Sequence, residues 1–258
     1  MSAADGPADA AELLDVAVEC ARTAGALLLE RFGSERVLAT KSTSTDLVSA
    51  ADLAAEQAIR DILARRVPDD AIMGEEGDDT AGTSGRRWIV DPLDGTVNFL
   101  YGLPQWGVSV ACEGLAGAVY DPTRDELFTA TADGSAQCNG IDLEPTPPED
   151  LAHALVATGF GYDAGRRALQ AEVAARVVPR ARDIRRGGSA ALDLAWTAAG
   201  RLDAYYERGV NLWDVAAGEL ICARAGLTVT RLAPVGELPW GTLAAPAAVF
   251  DELRPLVT

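Results

Sequence analysis

WIVDPLDGTVNF, residues 88–99, is the stretch that decides how this chain is read. An apolar run ends in two aspartates, Asp91 and Asp94, with Pro92 and Leu93 between them and Gly95 and Thr96 directly after. Trp88 to Val90 reads as a buried strand, and Pro92, which has no backbone N–H, predicts that the strand breaks there and passes both acids to a loop. Strand ends of this kind are where layered folds build their sites. Gly95 permits a tight turn, and Thr96 as a cap predicts a helix through VNFLYG (97–102) with the N–H groups of 95–97 pointing outward. Such a helix start carries about half a positive charge and attracts anions. One loop therefore offers carboxylates to a cation and amides to an anion, as a meeting point of metal and phosphate would. A capped turn with two solvated aspartates is the other reading of these residues alone.

Two further acidic segments share the design. MGEEGDD (73–79) follows a strand-like run, so Glu75 or Glu76 could project from the strand end, or the segment could be an acidic surface loop. In NLWDVAAGELICARAG (211–226), Asp214 stands in the first turn of an apolar helix, where capping alone would also explain it. If these acids converge, each pair at ~4 Å repels by about 4 kcal/mol at an effective dielectric near 20. Divalent cations relieve that repulsion, and an all-oxygen ligand set without His or Cys selects Mg²⁺ or Mn²⁺ over zinc.

Around these segments the chain organises into two halves. Apolar residues recur at helical spacing from Ala8 to Phe32, stopped by Gly33, and again from Leu47 to Val67 before PDD (68–70). Short apolar runs follow (AIMG, RWIV, GVSVAC, AGAVY and LFTATADGSAQC), with Asp133-Gly134 as a hairpin signal, and predict a mainly antiparallel sheet. The proline- and acid-rich IDLEPTPPEDL (141–151) reads as a link. Beyond it strand-like and helix-like segments alternate up to LTVTRL (227–232), predicting a layered α/β half. The expected organisation is residues 1–145, helices and antiparallel sheet with most of the acids, then 146–258, an α/β half with Asp214, in one compact unit.

Composition narrows the function classes. Among 258 residues, 39 acidic and 22 basic side chains leave a net charge of -17, which repels nucleic acid and anionic membranes at long range. The four cysteines show no C-x-x-C spacing, predicting reduced, mostly buried thiols rather than a zinc or redox pair. The N-terminus lacks a signal-peptide pattern and no run of ~18 apolar residues occurs, so the expectation is a cytoplasmic protein. The single histidine, His153, follows a Pro/Glu/Asp segment and is not expected to act in catalysis.

Taken together, GEE (74–76), WIVDPLDGTVNF and DAYYERGVNLWDVAAGELI (203–221) resemble the three signature regions of the inositol monophosphatases, Mg²⁺-dependent and lithium-sensitive phosphatases. KSTSTDLVSAAD (41–52) and IRRGGSAALDLA (184–195) resemble two further segments of that family, and all five stand in its order. The resemblance implies an αβαβα layered sandwich, usually paired as a homodimer. It implies that Glu75, Asp91 and the Leu93 carbonyl hold a first Mg²⁺, that Asp91, Asp94 and Asp214 hold a second, and that Glu75 shares a third, weaker ion. The substrate phosphate would rest on the amides of Gly95 and Thr96, with Glu207 and the Gly188-Ser189-Ala190 turn facing the alcohol. Water attacks directly in that family, without a phosphoenzyme, and is oriented either by Thr96 hydrogen-bonded to Asp46 or by Glu75.

Two positions depart from the pattern. Gly187 stands where many members carry serine, and Tyr101 stands where histidine is frequent. A haloacid dehalogenase-type phosphatase is set aside because its Asp-x-Asp-Gly-Thr is one residue shorter than the motif here. The implied substrate is a small phosphorylated alcohol, foremost inositol 1-phosphate. Fructose-1,6-bisphosphatase, 3'-phosphoadenosine-5'-phosphate phosphatase and histidinol-phosphatase activities are the alternatives, as is a non-enzymatic interaction protein docking through RARDIRR (180–186), a run that reads rather as a solvated face or a substrate-adjacent strand.

Overall fold

The computed structural model describes residues 10–34, 37–40 and 47–258. Helix α1 (Ala10–Arg31) buries Leu13, Val16, Ala17, Cys20, Ala24 and Leu28 along one face, the stripe its periodicity predicts. A short strand pair, β1 (Val37–Thr40) with β2 (Leu47–Ser49), precedes α2 (Ala50–Arg66). The second helix thus starts later than the expected Leu47, because Ser49 and Asp52 form a capping box that fixes its first turn.

The two helices pack together over one face of a seven-stranded sheet. Its strands, in spatial and chain order, are β3 (Ala71–Gly74), β4 (Arg87–Asp94), β5 (Gly107–Cys112), β6 (Ala116–Asp121), β7 (Glu126–Thr131), β8 (Gln137–Cys138) and β9 (Ile141–Asp142). Only β3 and β4 run parallel; the remaining pairs are antiparallel, as the short alternating runs predict. Asp133 and Gly134 lie in the connection 132–136 between the antiparallel β7 and β8.

Pro92 does not end its strand. β4 continues to Asp94 through a bulge, with Asp91 opposite Ser109 and Asp94 opposite Gly107, so β4 carries one residue more than β5 across that interval. A bulge is a place where a residue without an N–H leaves no gap in the ladder. The five-residue helix α3 (Thr96–Leu100) follows, and its cap is Gly95 at φ +98° rather than Thr96, which is the first helical residue. Phe99 and Trp106, on either side of the return to β5, meet edge to face at 5.0 Å, with Phe32, directly after the first helix, against both.

After the proline-rich link the chain builds a second sheet from β10 (Leu155–Ala157), α4 (Ala164–Val177), β11 (Asp183–Arg185), α5 (Ala190–Ala198), β12 (Ala204–Arg208), α6 (Leu212–Arg224), β13 (Thr228–Leu232), β14 (Gly241–Ala245) and α7 (Ala247–Val257). The spatial order is β11-β10-β12-β14-β13, parallel on one side of β12 and antiparallel on the other. The last strand and helix went unread in the sequence, since GTLAA is a run of small residues and the final helix carries Pro255. Helices α5 and α6 lie between the two sheets, and α4 and α7 cover the far face of the second, giving an αβαβα sandwich.

The middle helical layer is closely packed on both sides. A Cβ on Gly218 of α6 would stand 2.6 Å from Leu194 Cβ of α5, and one on Gly117 of β6 would stand 3.1 Å from the Ala217 Cα. Gly218→Val should therefore overpack this layer and cost about 1–3 kcal/mol, read as a lower urea midpoint with an unchanged slope.

Candidate active site

The bulge at the end of β4 puts Asp91 and Asp94 on the rim between the layers. Asp91 is 1 % exposed, and its Oδ1 accepts the Leu93 N–H at 3.0 Å. Asp94 Oδ2 accepts the Ser189 hydroxyl at 2.7 Å and the Ala191 N–H at 2.6 Å, so this acid joins the cap of α5. Asp214 sits at the third position of α6, its Oδ2 accepting the Asn211 N–H at 2.6 Å in a capping box. Glu75 follows directly on the end of β3. These four acids, with Leu93, Gly95, Thr96, Gly188, Ser189, Ala190 and Glu207, line one cavity of ≈ 460 Å³. Asp46 lies outside the described residues; every other residue to which the resemblance assigns a metal, the substrate or the attacking water is in that lining.

Burial and mutual repulsion govern the charge of the cleft. Burial is the main cause that lifts the Asp91 carboxyl well above the usual range, and the charges of Glu75, Asp94 and Asp214 lift it further. Asp214 is raised in the same way, by burial and then by Asp94 and Glu75. Asp94 is pushed up to about 7 by burial, against the hydrogen bonds from Ser189 and Ala191. Glu207 is likewise pushed up to about 7 by burial, while the Tyr205 hydroxyl, donating to its Oε2 at 2.9 Å, and Arg186 pull the other way. These oxygen donors, raised by one another's charge, suit a hard divalent cation. Among the described residues no three His, Cys, Asp or Glu side chains already close on one point as a ligand cluster.

Gly95 is required twice over, by its positive φ and because a Cβ there would stand 2.9 Å from the Gln105 carbonyl oxygen. Its turn is braced by Asn98, which donates to the carbonyls of Gln105 at 2.6 Å and Gly187 at 3.0 Å, tying β4 to the start of α5. The Thr96 hydroxyl lies 3.1 Å from both the Leu93 carbonyl and Asp52 Oδ1. Among the described residues its carboxylate partner is Asp52.

Four side chains at or behind the cleft were not found from sequence: Asp52, Asp193, Arg166 and Arg186. The capping pattern Ser49-x-x-Asp52 was available as a signal for the first. Asp193 is 2 % exposed and held well above the usual carboxylate range by burial, with Glu207 and Asp94 adding to it. A Cβ on Gly187 would come within 2.4 Å of Asp193 Oδ1, so a serine at this departure from the family pattern would require the Asp193 carboxylate to shift. Arg186, last of the basic run, lines the cleft, whereas Arg185 pairs with Asp183 on the sheet edge and Arg180 with Glu252. Tyr101 is 76 % exposed and outside the lining. His153 is also outside it, paired with Asp150 at 2.7 Å, and the cysteines are unbonded, three of the four being buried.

The raised Asp94 has a stability consequence. Its folded value near 7 exceeds the unfolded one of 3.8, so the folded state loses stability as pH rises through that interval, and the penalty is complete above it. In chelator-treated protein, Asp94→Asn should raise Tm at pH 8.5 by about 3 °C or more, and change it little at pH 5, where the carboxyl is already protonated. Differential scanning calorimetry at the two pH values checks this.

The profile of the inositol monophosphatase family matches residues 9–252. The inositol-1-monophosphatase SuhB of Mycobacterium tuberculosis is 44% identical over 234 residues, 83% of this chain and 78% of that protein. The Nus factor SuhB of Escherichia coli K12 is 41% identical over 222 residues, 83% of each chain. The crystal structure of extragenic suppressor protein suhB from Bartonella henselae superposes with a TM-score of 0.86 at 33% identity, covering 95% of this chain and 97% of the other. No described helix is long and apolar enough to cross a membrane. A profile match over nearly the whole chain, on an αβαβα sandwich with an acid-lined cleft, establishes that the chain is a phosphoric monoester hydrolase of the inositol monophosphatase family.

Proposed function

We propose that the chain hydrolyses a small phosphorylated polyol, foremost inositol 1-phosphate, with Mg²⁺ as its cofactor. The observation that carries this is the gathering of Glu75, Asp91, Asp94 and Asp214 in one cleft with the Gly95 turn. In this reading Glu75, Asp91 and the Leu93 carbonyl hold one ion, and Asp91, Asp94 and Asp214 another, with a third on Glu75. Mn²⁺ suits the same oxygens. Bound ions supply Lewis acidity and neutralise the charge that develops on phosphoryl and leaving oxygens.

The chain's own groups do the rest. The amides of Gly95 and Thr96 seat the phosphoryl oxygens, a task for which the cap glycine leaves the backbone uncovered. Asp94 and Asp214, already fixed by helix-start N–H groups, keep their remaining oxygens in a set direction. Thr96, anchored to Asp52 and the Leu93 carbonyl, and Glu75 are the groups that orient the attacking water. Glu207, backed by Tyr205, and the Gly188-Ser189-Ala190 turn face the alcohol, with Ser189 acting through Asp94. The unpaired thiols support a cytoplasmic setting and, by family resemblance, the working form is a homodimer.

A relative named a Nus factor, at 41% identity, favours a second reading in which the same fold also docks on another macromolecule. The net charge of -17 opposes direct contact with nucleic acid, and the acids of the cleft are those a hydrolase needs. A phosphate-release panel over inositol 1-phosphate, fructose 1,6-bisphosphate, 3'-phosphoadenosine-5'-phosphate and histidinol phosphate, with and without Mg²⁺ and Li⁺, tests the first reading. Activity should require Mg²⁺, fall with Li⁺, and drop by at least about 100-fold in Asp91→Asn. Full activity in that variant would defeat the site assignment. Light scattering should give twice the chain mass, 2 × 26.9 kDa; the mass of a single chain would remove the dimer.

A further inference from the structure

Helix α4 buries Gln170, Val173 and Val177, and Gln170, 4 % exposed, is the polar member of that set. A buried amide is tolerated where its donor and its acceptor are both bonded. Gln170 bonds two separate pieces of main chain. Its Oε1 accepts the Gly161 N–H at 2.9 Å, in the segment 159–163 between β10 and α4, and its Nε2 donates to the Arg208 carbonyl at the end of β12. Both pieces belong to walls of the cleft: residues 159–163 line it, and so do Glu207, Gly209 and Val210. Gln170 is not in the lining; it stands behind the walls it joins.

Each wall is also fastened by itself. Arg167 Nη1 donates to the carbonyls of Gly161 at 3.2 Å and Tyr162 at 2.7 Å. The Arg208 guanidinium, in a residue 1 % exposed, donates to the Val257 carbonyl at 2.9 and 2.7 Å and to those of Ala233 at 2.6 Å and Pro239 at 3.2 Å. Those bonds stiffen the two walls separately, and the Gln170 amide fixes one against the other. The gap is narrow: a Cβ on Gly159 would stand 2.0 Å from Glu207 Oε2, so the main chain of one wall rests against the carboxylate of the other. Groups that read a ligand hold their geometry only where the residues behind them are locked. We infer that Gln170 is a positioning residue of the alcohol end of the cleft, setting the gap in which Glu207 meets the alcohol and so governing which alcohols are accepted without touching them. The inference rests on the hydrolase reading of this cleft and adds a determinant of its specificity.

The test compares two substrates in the Mg²⁺-loaded protein: inositol 1-phosphate, and 2-hydroxyethyl phosphate, which lacks the ring whose hydroxyls Glu207 would hold. Gln170→Met keeps the length of the side chain and removes both bonds. It should lower the ratio of kcat/KM for inositol 1-phosphate to that for 2-hydroxyethyl phosphate by about tenfold, chiefly through KM of the ring substrate. Val173→Ala, on the same helix, loosens its packing without touching either wall and should leave the ratio at the wild-type value. An unchanged ratio in Gln170→Met, or an equal fall in Val173→Ala, overturns the inference, since the amide would then serve stability alone. If Gln170→Met does not fold, Gln170→Glu takes its place: it keeps an acceptor for Gly161, lacks the donor for Arg208, and should shift the ratio in the same direction, whereas a wild-type ratio overturns the inference. Titration calorimetry with the uncleavable inositol 1-phosphonate and with inorganic phosphate gives a readout independent of turnover. Phosphonate binding weakened about tenfold in Gln170→Met, with phosphate binding unchanged, upholds the role even if no ester is hydrolysed, an outcome that counts against the hydrolase reading alone. Equal weakening of both ligands overturns it.

Discussion

Four carboxylates brought into one cleft repel one another, and the rest of the molecule is arranged to hold them there. The acids come from three separate parts of the fold: the end of β3, the bulge of β4 and the first turn of α6. Burial and shared charge raise Asp91, Asp94 and Asp214 together. A chain folded without cations has to offset that cost elsewhere, and the three hydrophobic clusters that fill the spaces between layers are the means available.

Helix starts provide local compensation. Asp52 caps α2, Asp94 accepts from the first turn of α5, and Asp214 closes the capping box of α6. Each acid lies at the positive end of a helix, where a negative charge is favoured. Asp94 and Asp214 each use one oxygen in these bonds, so the arrangement fixes the side chain and leaves the other for the cleft. A helix cap and a ligand are therefore compatible readings of the same aspartate. Capping alone could not decide between them in the sequence.

How much could be read without coordinates follows from the range of the forces involved. Periodicity placed α1 well, because its buried stripe is a local property. The alternation after residue 151 placed most of the second half for the same reason. Pro92 misled about the end of β4, since the bulge depends on the register of β5, a partner distant in the chain. Asp193 and Arg166 carry no local signature. One is an acid inside an apolar helix and the other a surface-type arginine, and only the packing of the second sheet brings them to the cleft. The capping pattern of Asp52 was readable, but its contact with Thr96 joins residues 44 positions apart.

The close approach of Gly218 to Leu194 acts at a distance. Asp94 is held by the start of α5, and Asp214 rides on the start of α6. The interval between these two acids is consequently set by how near two helix axes can come, with a hydrogen atom serving as the spacer. The middle layer works as a caliper: a side chain added at its jaws would be felt as a change of span at the cleft-facing tips, with no residue of the cleft itself altered.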